Sequence, residues 1–131
     1  MSEEKLELLR PVLAEWAKGN FWAAPELLAP DVTFRAAMPA NFVAYGVEET
    51  ARRMLEVLEQ WSDYRIEAEE LEDVGEDSVL AAGRQRGTGK LSGAKADYPI
   101  FIVFEFRGNE VIGVYLEGTR KAALEAAGLS E

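Results

Sequence analysis

The stretch Asp97-Tyr-Pro-Ile-Phe-Ile-Val-Phe-Glu-Phe106 is the most hydrophobic run in the chain and decides the fold. It is rich in aromatic and β-branched residues, which predicts a strand near the centre of a sheet. Successive residues of a strand point to opposite faces, and here both sets are mainly apolar. A strand with one wet face would alternate apolar and polar residues, so we expect this one to be covered on both sides.

The composition limits the class of protein and the chemistry available to it. A chain of 131 residues with 48% hydrophobic residues suits one domain, 1–131, with a sizeable core. The formal net charge of −10 argues against nucleic acid or an anionic membrane as a partner. The chain has no Cys and no His, which excludes disulfides, thiol nucleophiles, His-based catalysis and Cys/His zinc sites. We therefore expect no metal and no cofactor.

The first residues of the sequence and its hydropathy favour a cytoplasmic protein. The start Met1-Ser2-Glu3-Glu4-Lys5 is not typical of a signal peptide. No apolar run approaches the length of a transmembrane helix. Both observations make a cytoplasmic location the expectation.

Hydrophobic periodicity predicts helices early in the chain and strands later. The predicted elements are, in order, helices at about 3–18 and 22–28, a strand at about 31–35, a helix at about 46–60, strands from about 63 and at about 79–90, 97–106 and 111–117, and a helix at about 120–127 capped by Thr119. The first later strand changes phase near Leu71, which indicates a bulge. Helices that cluster before an antiparallel meander predict an α+β fold, a cone-shaped, curved and mostly antiparallel sheet wrapped around the N-terminal helices with an internal pocket.

The segment from Ala36 to Tyr45 is typical of a loop, yet it carries Met38, Phe42 and Val43. A surface loop this apolar must bury its side chains somewhere. It either folds onto the core or forms a lid or rim over a cavity, and both alternatives stay open at this point.

Three stretches carry a family resemblance, namely Pro30-Asp-Val-Thr-Phe34 leading to Met38-Pro39, Ala44-Tyr-Gly-Val-Glu-Glu-Thr50, and Ala123-Leu-Glu-Ala-Ala-Gly-Leu129. With the order of elements, they resemble the nuclear transport factor 2-like superfamily, specifically its SnoaL-like branch of polyketide-cyclase, limonene-epoxide-hydrolase and ketosteroid-isomerase-like domains. The resemblance covers nearly the whole chain and implies the cone fold. It implies no single function, because the superfamily hosts isomerases, cyclases, hydrolases, dehydratases and plain binding or assembly modules.

The resemblance also implies where catalytic side chains should lie. Epoxide hydrolases of the family position a water with Tyr, Asn and Asp, helped by Arg and a second Asp. The matching positions in this chain are Phe34, Ala37, Gly83, Gln85 and Leu116. None of these residues supplies the required carboxylate or guanidinium, so epoxide hydrolysis is not expected.

A general base, if the chain has one, must be a carboxylate whose pKa is raised by desolvation, since His is absent. Asp97 beside the apolar strand and Glu117 at the end of the last strand are the two catalytic candidates. The alternative for each is a charge at a rim or an interface.

The strand at 79–90 presents a small and mostly apolar face that includes Gly83, Gln85 and Gly87. Such a face either leaves volume for a ligand or only allows the sheet to curve. The predicted ligand-pocket residues are Trp16, Phe34, Met38, Phe42, Tyr45, Met54, Leu58, Gln85, Tyr98, Ile100 and Ile102. Plain core packing is the alternative for each of them.

We therefore expect a SnoaL-like domain that binds an apolar small molecule. In its catalytic version the domain isomerises, cyclises or hydrates a hydrophobic substrate. The alternative is a non-catalytic binding or dimerisation module with a largely filled core.

The opposite face of the central strand predicts a homodimer. The helices are assigned to the inner face, so no element is left to cover the outer one, and an apolar patch there is unusual on a monomer. The predicted interface residues are Leu80, Ala82, Arg84, Phe101, Val103, Ile112 and Val114.

Overall fold

The computed structural model describes residues 2–22, 24–37 and 41–129. Within these residues the chain forms three α-helices, one short 3-10 helix and six strands. They are α1 (Ser2–Trp16), the 3-10 helix (Pro25–Leu27), β1 (Leu28–Ala36), β2 (Phe42–Tyr45), α2 (Val47–Leu58), β3 (Trp61–Val74), β4 (Ser78–Gly89), β5 (Lys95–Arg107), β6 (Glu110–Glu117) and α3 (Arg120–Ala126). No helix among the described residues is long and apolar enough to cross a membrane.

All six strands belong to one sheet, in the order β2-β1-β6-β5-β4-β3. The strands β3 to β6 form the antiparallel meander that the sequence predicts. The strand β1 joins β6 in parallel and β2 in antiparallel orientation. The register of β3 shifts between Ala68 and Glu70, beside the predicted bulge. The α+β class and the curved, mostly antiparallel sheet are confirmed.

The central strand β5 is covered on both faces, as its sequence predicts. Ile100, Ile102 and Phe104 lie in the main core, which also contains the buried face of α1. Val103 lies on the opposite face in a second, smaller core. The inner face of the sheet and the N-terminal helices therefore enclose the interior of the cone.

The helix α3 covers part of the outer face, and the expectation that nothing would cover it is wrong. Ala123 and Leu124 of α3 pack with Leu80 and Val103, which are only 2% and 0% exposed. The predicted cap at Thr119 is present, and its hydroxyl accepts a 3.1 Å hydrogen bond from the backbone N–H of Ala122. The helix begins directly after β6, so it can fold back over the neighbouring strands.

The position of Val114 also differs from the prediction. Val114 pairs with Phe104 in the inner core and is 1% exposed. The ladder between β5 and β6 passes from Phe106 opposite Val111 to Glu105 opposite Gly113, so Ile112 is an extra residue in β6. A one-residue bulge reverses the face of every residue that follows it, which turns Val114 inward.

The first third of the chain differs from the prediction in two further places. The second predicted helix is only the 3-10 turn Pro25–Leu27, and β1 already begins at Leu28. Part of the predicted loop is the strand β2, whose buried residues Phe42 and Ala44 alternate with exposed ones. This strand extends the sheet and places Phe42 against the interior.

The glycines of β4 allow other groups to approach the strand closely rather than leaving empty volume. A Cβ at Gly83 would lie 2.0 Å from the backbone oxygen of Glu67. A Cβ at Gly87 would lie 3.3 Å from the side chains of both Trp61 and Tyr64. The space next to these glycines is therefore already occupied, which agrees with the structural alternative for them.

Candidate functional site

The interior between the helices and the sheet contains two small cavities, each of about 30 Å³. We call the first the inner cavity; its lining is Trp16, Phe21, Phe34, Ala36, Phe42, Met54, Val57, Leu58, Tyr64, Ile66 and Leu116. The second, the rear cavity, lies towards α1 and shares Trp16, Phe21, Phe34 and Met54 with the first. Each has room for a few water molecules at most, whereas ligand pockets usually measure about 300–1,000 Å³. The cone is therefore largely filled by its own side chains.

Aromatic rings form much of the cavity wall. Trp16 lies 5.5 Å from Phe21, and Phe21 lies 5.4 Å from Tyr64, measured between ring centroids. Phe34 and Phe42 are stacked at 5.8 Å. Rings in such contact stabilise one another and have few rotamers, so this part of the wall is rigid.

One buried polar pair lies among the mainly apolar residues of the interior. The phenol of Tyr64 donates a 2.9 Å hydrogen bond to Oε1 of Gln85, and the two residues are 8% and 1% exposed. Burial raises the pKa of the Tyr64 phenol above its usual range, which keeps the hydroxyl protonated at neutral pH. The Nε2 group of Gln85 is buried and has no hydrogen-bond partner among the described residues. The amide N–H of Gln85 is therefore a buried donor without a partner; Tyr64 lines the inner cavity, whereas Gln85 lies next to Tyr64 and lines neither cavity.

The predicted pocket residues fall into three groups. Trp16, Phe34, Phe42, Met54 and Leu58 lie together around the inner cavity. The second group, which is buried on the inner side of the sheet without lining that cavity, comprises Gln85, Ile100 and Ile102. The third group comprises Tyr45 and Tyr98, which lie outside the interior, while Met38 lies outside the described residues.

The two exposed tyrosines correct the predicted polar contacts of the pocket. Tyr45 is 68% exposed because the inward residues of the edge strand β2 are Phe42 and Ala44. Tyr98 is 52% exposed, although it pairs with the buried Gln85. The strand β5 begins before the region that the core covers, and the core on this face starts at Ile100.

Sequence reasoning missed Tyr64 and Phe21 as lining residues. The alternation of Tyr64, Ile66 and Ala68 places Tyr64 on the apolar face of its strand, so this signal was present. Phe21 follows the helix-ending Gly19 in a turn, where periodicity gives no information about direction. The aromatic pair Phe21-Trp22 inside a turn was the available signal.

The candidate bases Asp97 and Glu117 lie on the outer face of the sheet. Asp97 accepts a 2.6 Å hydrogen bond from Nε of Arg84, and this bond holds the pKa of Asp97 below its usual range. Glu117 pairs with Phe101, on the face opposite Ile102. No carboxylate is among the described residues that line the inner or rear cavity. The structure therefore does not bring either candidate to the interior.

The predicted interface residues are divided between the two faces and the two cores. Leu80, Val103 and Val114 are buried within the single chain, so they are not available to a partner. The remaining predicted residues are partly exposed, namely Ala82, Arg84, Phe101 and Ile112. An ion-pair network of Arg84, Arg86, Asp97, Glu67 and Arg65 lies beside them.

Several solved structures have the same fold. A hypothetical protein with a ketosteroid isomerase-like fold from Catenulispora acidiphila, in complex with trimethylamine, has a TM-score of 0.74 and 19% identity, over 94% of this chain and 93% of that one. An NTF2-like protein of unknown function from Burkholderia pseudomallei has a TM-score of 0.77 and 16% identity, over 96% of both chains. A putative SnoaL-like polyketide cyclase from Jannaschia has a TM-score of 0.74 and 18% identity, over 88% of this chain and 85% of that one.

Identities this low show the fold alone. No curated protein matches the chain. The family model that describes the SnoaL-like domain matches residues 9–114, which is most of the chain, and this protein therefore belongs to the SnoaL-like domain family.

Proposed function

We propose that the chain binds a neutral, apolar small molecule that carries one hydrogen-bond acceptor, such as a ketone oxygen, and that side chains around the small inner cavity move apart to admit it. The observation that carries the proposal is the buried pair of Tyr64 and Gln85, with an amide N–H that has no partner among the described residues of a mainly apolar interior. A buried donor without a partner costs about 1–3 kcal/mol. A ligand acceptor that reaches this group would recover that cost.

The charge of the lining supports a neutral ligand. No charged residue is among the described residues that line the inner and rear cavities. An ion moved from water into such an environment would lose its hydration without gaining a partner. The ligand should therefore carry no ionised group.

Binding has more support than turnover. An isomerase, cyclase or hydratase needs a group that moves a proton, and the described residues of the lining include no carboxylate for this role. A donor aimed at a carbonyl can polarise it, and the amide N–H of Gln85 could make this contribution, since the Tyr64 hydroxyl already donates to Gln85. The putative cyclase from Jannaschia and the trimethylamine complex from Catenulispora acidiphila belong to other proteins; they support a small-molecule role for this fold.

The test compares two matched fluorescent probes. One is prodan, a dimethylaminonaphthalene that carries a propionyl ketone, and the other is the same dimethylaminonaphthalene without the ketone. We expect Gln85→Leu to weaken prodan binding about fivefold to tenfold, because one hydrogen bond is lost, and to change binding of the ketone-free probe less than about twofold. Thr88→Val on the outer side of the same strand is the control and should change neither affinity.

Circular dichroism must show the same secondary structure for the two variants. If the unsubstituted protein binds neither probe, or if Gln85→Leu weakens both probes equally, the proposal is wrong.

We also propose a homodimer, as the second candidate function, through the part of the outer face that α3 leaves open. Phe101 is half-buried beside α3, and Pro99 on the same face of β5 is exposed. Ala82 is the partner of Phe101 in the ladder, and Arg84 is the partner of Pro99. A second copy would cover this apolar strip, with the neighbouring ion pairs as a polar rim.

Light scattering across micromolar concentrations tests the homodimer. Ala82→Lys should shift a dimer to monomers, because it places a charge in the centre of the strip, whereas Leu91→Lys at the β4–β5 turn should not. A monomer at all concentrations for the unsubstituted protein would exclude this interface. The cytoplasmic location and the lack of nucleic-acid and membrane partners stay predictions.

A further inference from the structure

A surface groove lies beside the interior cavities, between the segment 19–22 and α2. Its volume is about 360 Å³, within the range of ligand pockets of about 300–1,000 Å³. The described residues that line it carry no charge; they are Gly19, Asn20, Phe21, Trp22, Ala51, Met54, Leu55 and Leu58. Trp22 and Leu55 are 39% and 63% exposed, so large apolar side chains face solvent here.

The groove and the cavities share their walls. Phe21 and Met54 line the groove, the inner cavity and the rear cavity alike. Leu58 is also shared with the inner cavity, and Trp22 with the rear cavity. A small number of side chains therefore separates the groove from the interior.

Of the two side chains common to all three spaces, Met54 is the one that can move. Phe21 is 6% exposed and lies between the rings of Trp16 and Tyr64, at 5.5 Å and 5.4 Å. Met54 is only partly buried and has an unbranched side chain with three rotatable bonds. We expect a change of its rotamer to open part of the shared wall, while the ring contacts of Phe21 with Trp16 and Tyr64 stay in place.

The polar side chain of the groove, Asn20, already forms hydrogen bonds within the protein. Nδ2 of Asn20 donates to Glu15 at 3.1 Å, and Oδ1 of Asn20 accepts from the backbone N–H of Trp22 at 3.3 Å. The groove therefore offers mainly apolar contact. A ligand with one polar end would place that end towards Tyr64 and Gln85 and its apolar remainder along α2.

We infer that the groove is the entrance and the outer half of the ligand site, and that the Met54 side chain opens it onto the interior. The inference rests on the proposed function and specifies the ligand further. The ligand is an elongated, neutral, apolar molecule, of fused rings or a short chain, that is too long for the interior alone. Trp22 and Leu55 contact its outer part.

A bulky label on the groove tests the entrance. The chain has no Cys, so Leu55→Cys introduces a unique thiol that reacts with a polyethylene glycol maleimide. Stopped-flow fluorescence should show prodan association slowed about tenfold or more by the label, because the route is blocked. Leu91→Cys, at a residue that is 98% exposed and lines none of these spaces, is the matched control and should bind prodan at the unlabelled rate.

The outcomes separate the two proposals. If labelled Leu55→Cys binds prodan at the unlabelled rate, the groove is not the entrance, although the proposed function stands. If no variant binds prodan, the proposed function itself fails. If Leu55→Cys without ligand sediments as a dimer before labelling and as a monomer after it, a second copy of the chain occupies the groove. That result would overturn the inference.

Two variants of α2 test the role of Met54. Met54→Ala should raise the prodan association rate by about threefold or more, since it removes the shared wall. Val57→Ala is the matched control, because Val57 lines the inner cavity but not the groove. It should enlarge the inner cavity and change affinity through the dissociation rate. Equal association rates for Met54→Ala and the unsubstituted protein would contradict the assignment of Met54.

Discussion

Tyr64 on β3 donates a 2.9 Å hydrogen bond to Gln85 on β4, and both residues are buried on the inner side of the sheet. Gln85 is the direct ladder partner of Ile66, so Tyr64 reaches it diagonally along the same face. The bond satisfies the carbonyl oxygen of the amide but leaves Nε2 without a partner among the described residues. The pair thus joins two strands and also places a polar group in the mainly apolar interior.

The first prediction is that the energetic cost of breaking this pair depends on which partner is removed. Tyr64→Phe should lower the free energy of unfolding by about 2–3 kcal/mol, because the Gln85 amide is then buried without any partner. Tyr64→Phe combined with Gln85→Leu should be less destabilised than Tyr64→Phe alone, since no unpaired amide is left. Urea unfolding followed by circular dichroism measures all variants. A double variant less stable than Tyr64→Phe would contradict the assignment.

The second prediction concerns Val103, which α3 covers. Val103→Lys should lower the free energy of unfolding by about 3–5 kcal/mol, because it buries an unpaired charge in the core of a single chain. Leu91→Lys, at a fully exposed position, should have little effect. Thermal unfolding at several protein concentrations checks this. If Val103→Lys yields a monomer with an unchanged unfolding temperature, α3 does not cover Val103.

The third prediction concerns the close approach of β3 to β4. Gly83→Ala should cost about 2–3 kcal/mol, because its Cβ would meet the backbone oxygen of Glu67 at 2.0 Å. Gly93→Ala is the control that measures backbone strain without a clash. A Cβ at Gly93 would meet nothing within 4 Å, but Gly93 has a φ of +70°. Left-handed strain alone should cost about 1–2 kcal/mol. A smaller effect at Gly83 than at Gly93 would show that the strands are not this close.

The fourth prediction concerns acid stability at Asp97. The hydrogen bond from Arg84, with Arg86 nearby, holds the pKa of Asp97 below its usual range in the folded protein. The folded state thus binds this proton less readily than the unfolded chain, so the carboxylate stabilises the fold above about pH 4 and loses that effect as the pH falls through the lowered pKa. Asp97→Asn should therefore reduce stability at neutral pH and have no further effect in strong acid.

Urea unfolding of Asp97→Asn and the unsubstituted protein, from neutral to strongly acidic pH, measures this difference. Asp73→Asn at an exposed position of β3 is the control. A difference that grows as the pH falls would show that the pKa of Asp97 is raised instead.

The architecture of this protein was largely predictable from its own sequence. The two apolar faces of β5 predicted a central strand covered on both sides, and both faces are covered in its middle, at 100–104, whereas Tyr98 and Pro99 are exposed. The order of helices and strands predicted the α+β class, and Thr119 predicted the start of the last helix. These features follow from local properties, since strand period, turn residues and caps act within a few residues of one another.

The tertiary structure alone decided what covers each face and how much space is left inside. Periodicity shows that the outer face of β5 is apolar, but not that α3 folds back onto Val103. The extra residue Ile112 turns Val114 inward, because one inserted residue exchanges the faces of a strand. The small cavities and the wall at Met54 depend on how side chains from distant elements fill a common volume, and no local pattern encodes that packing.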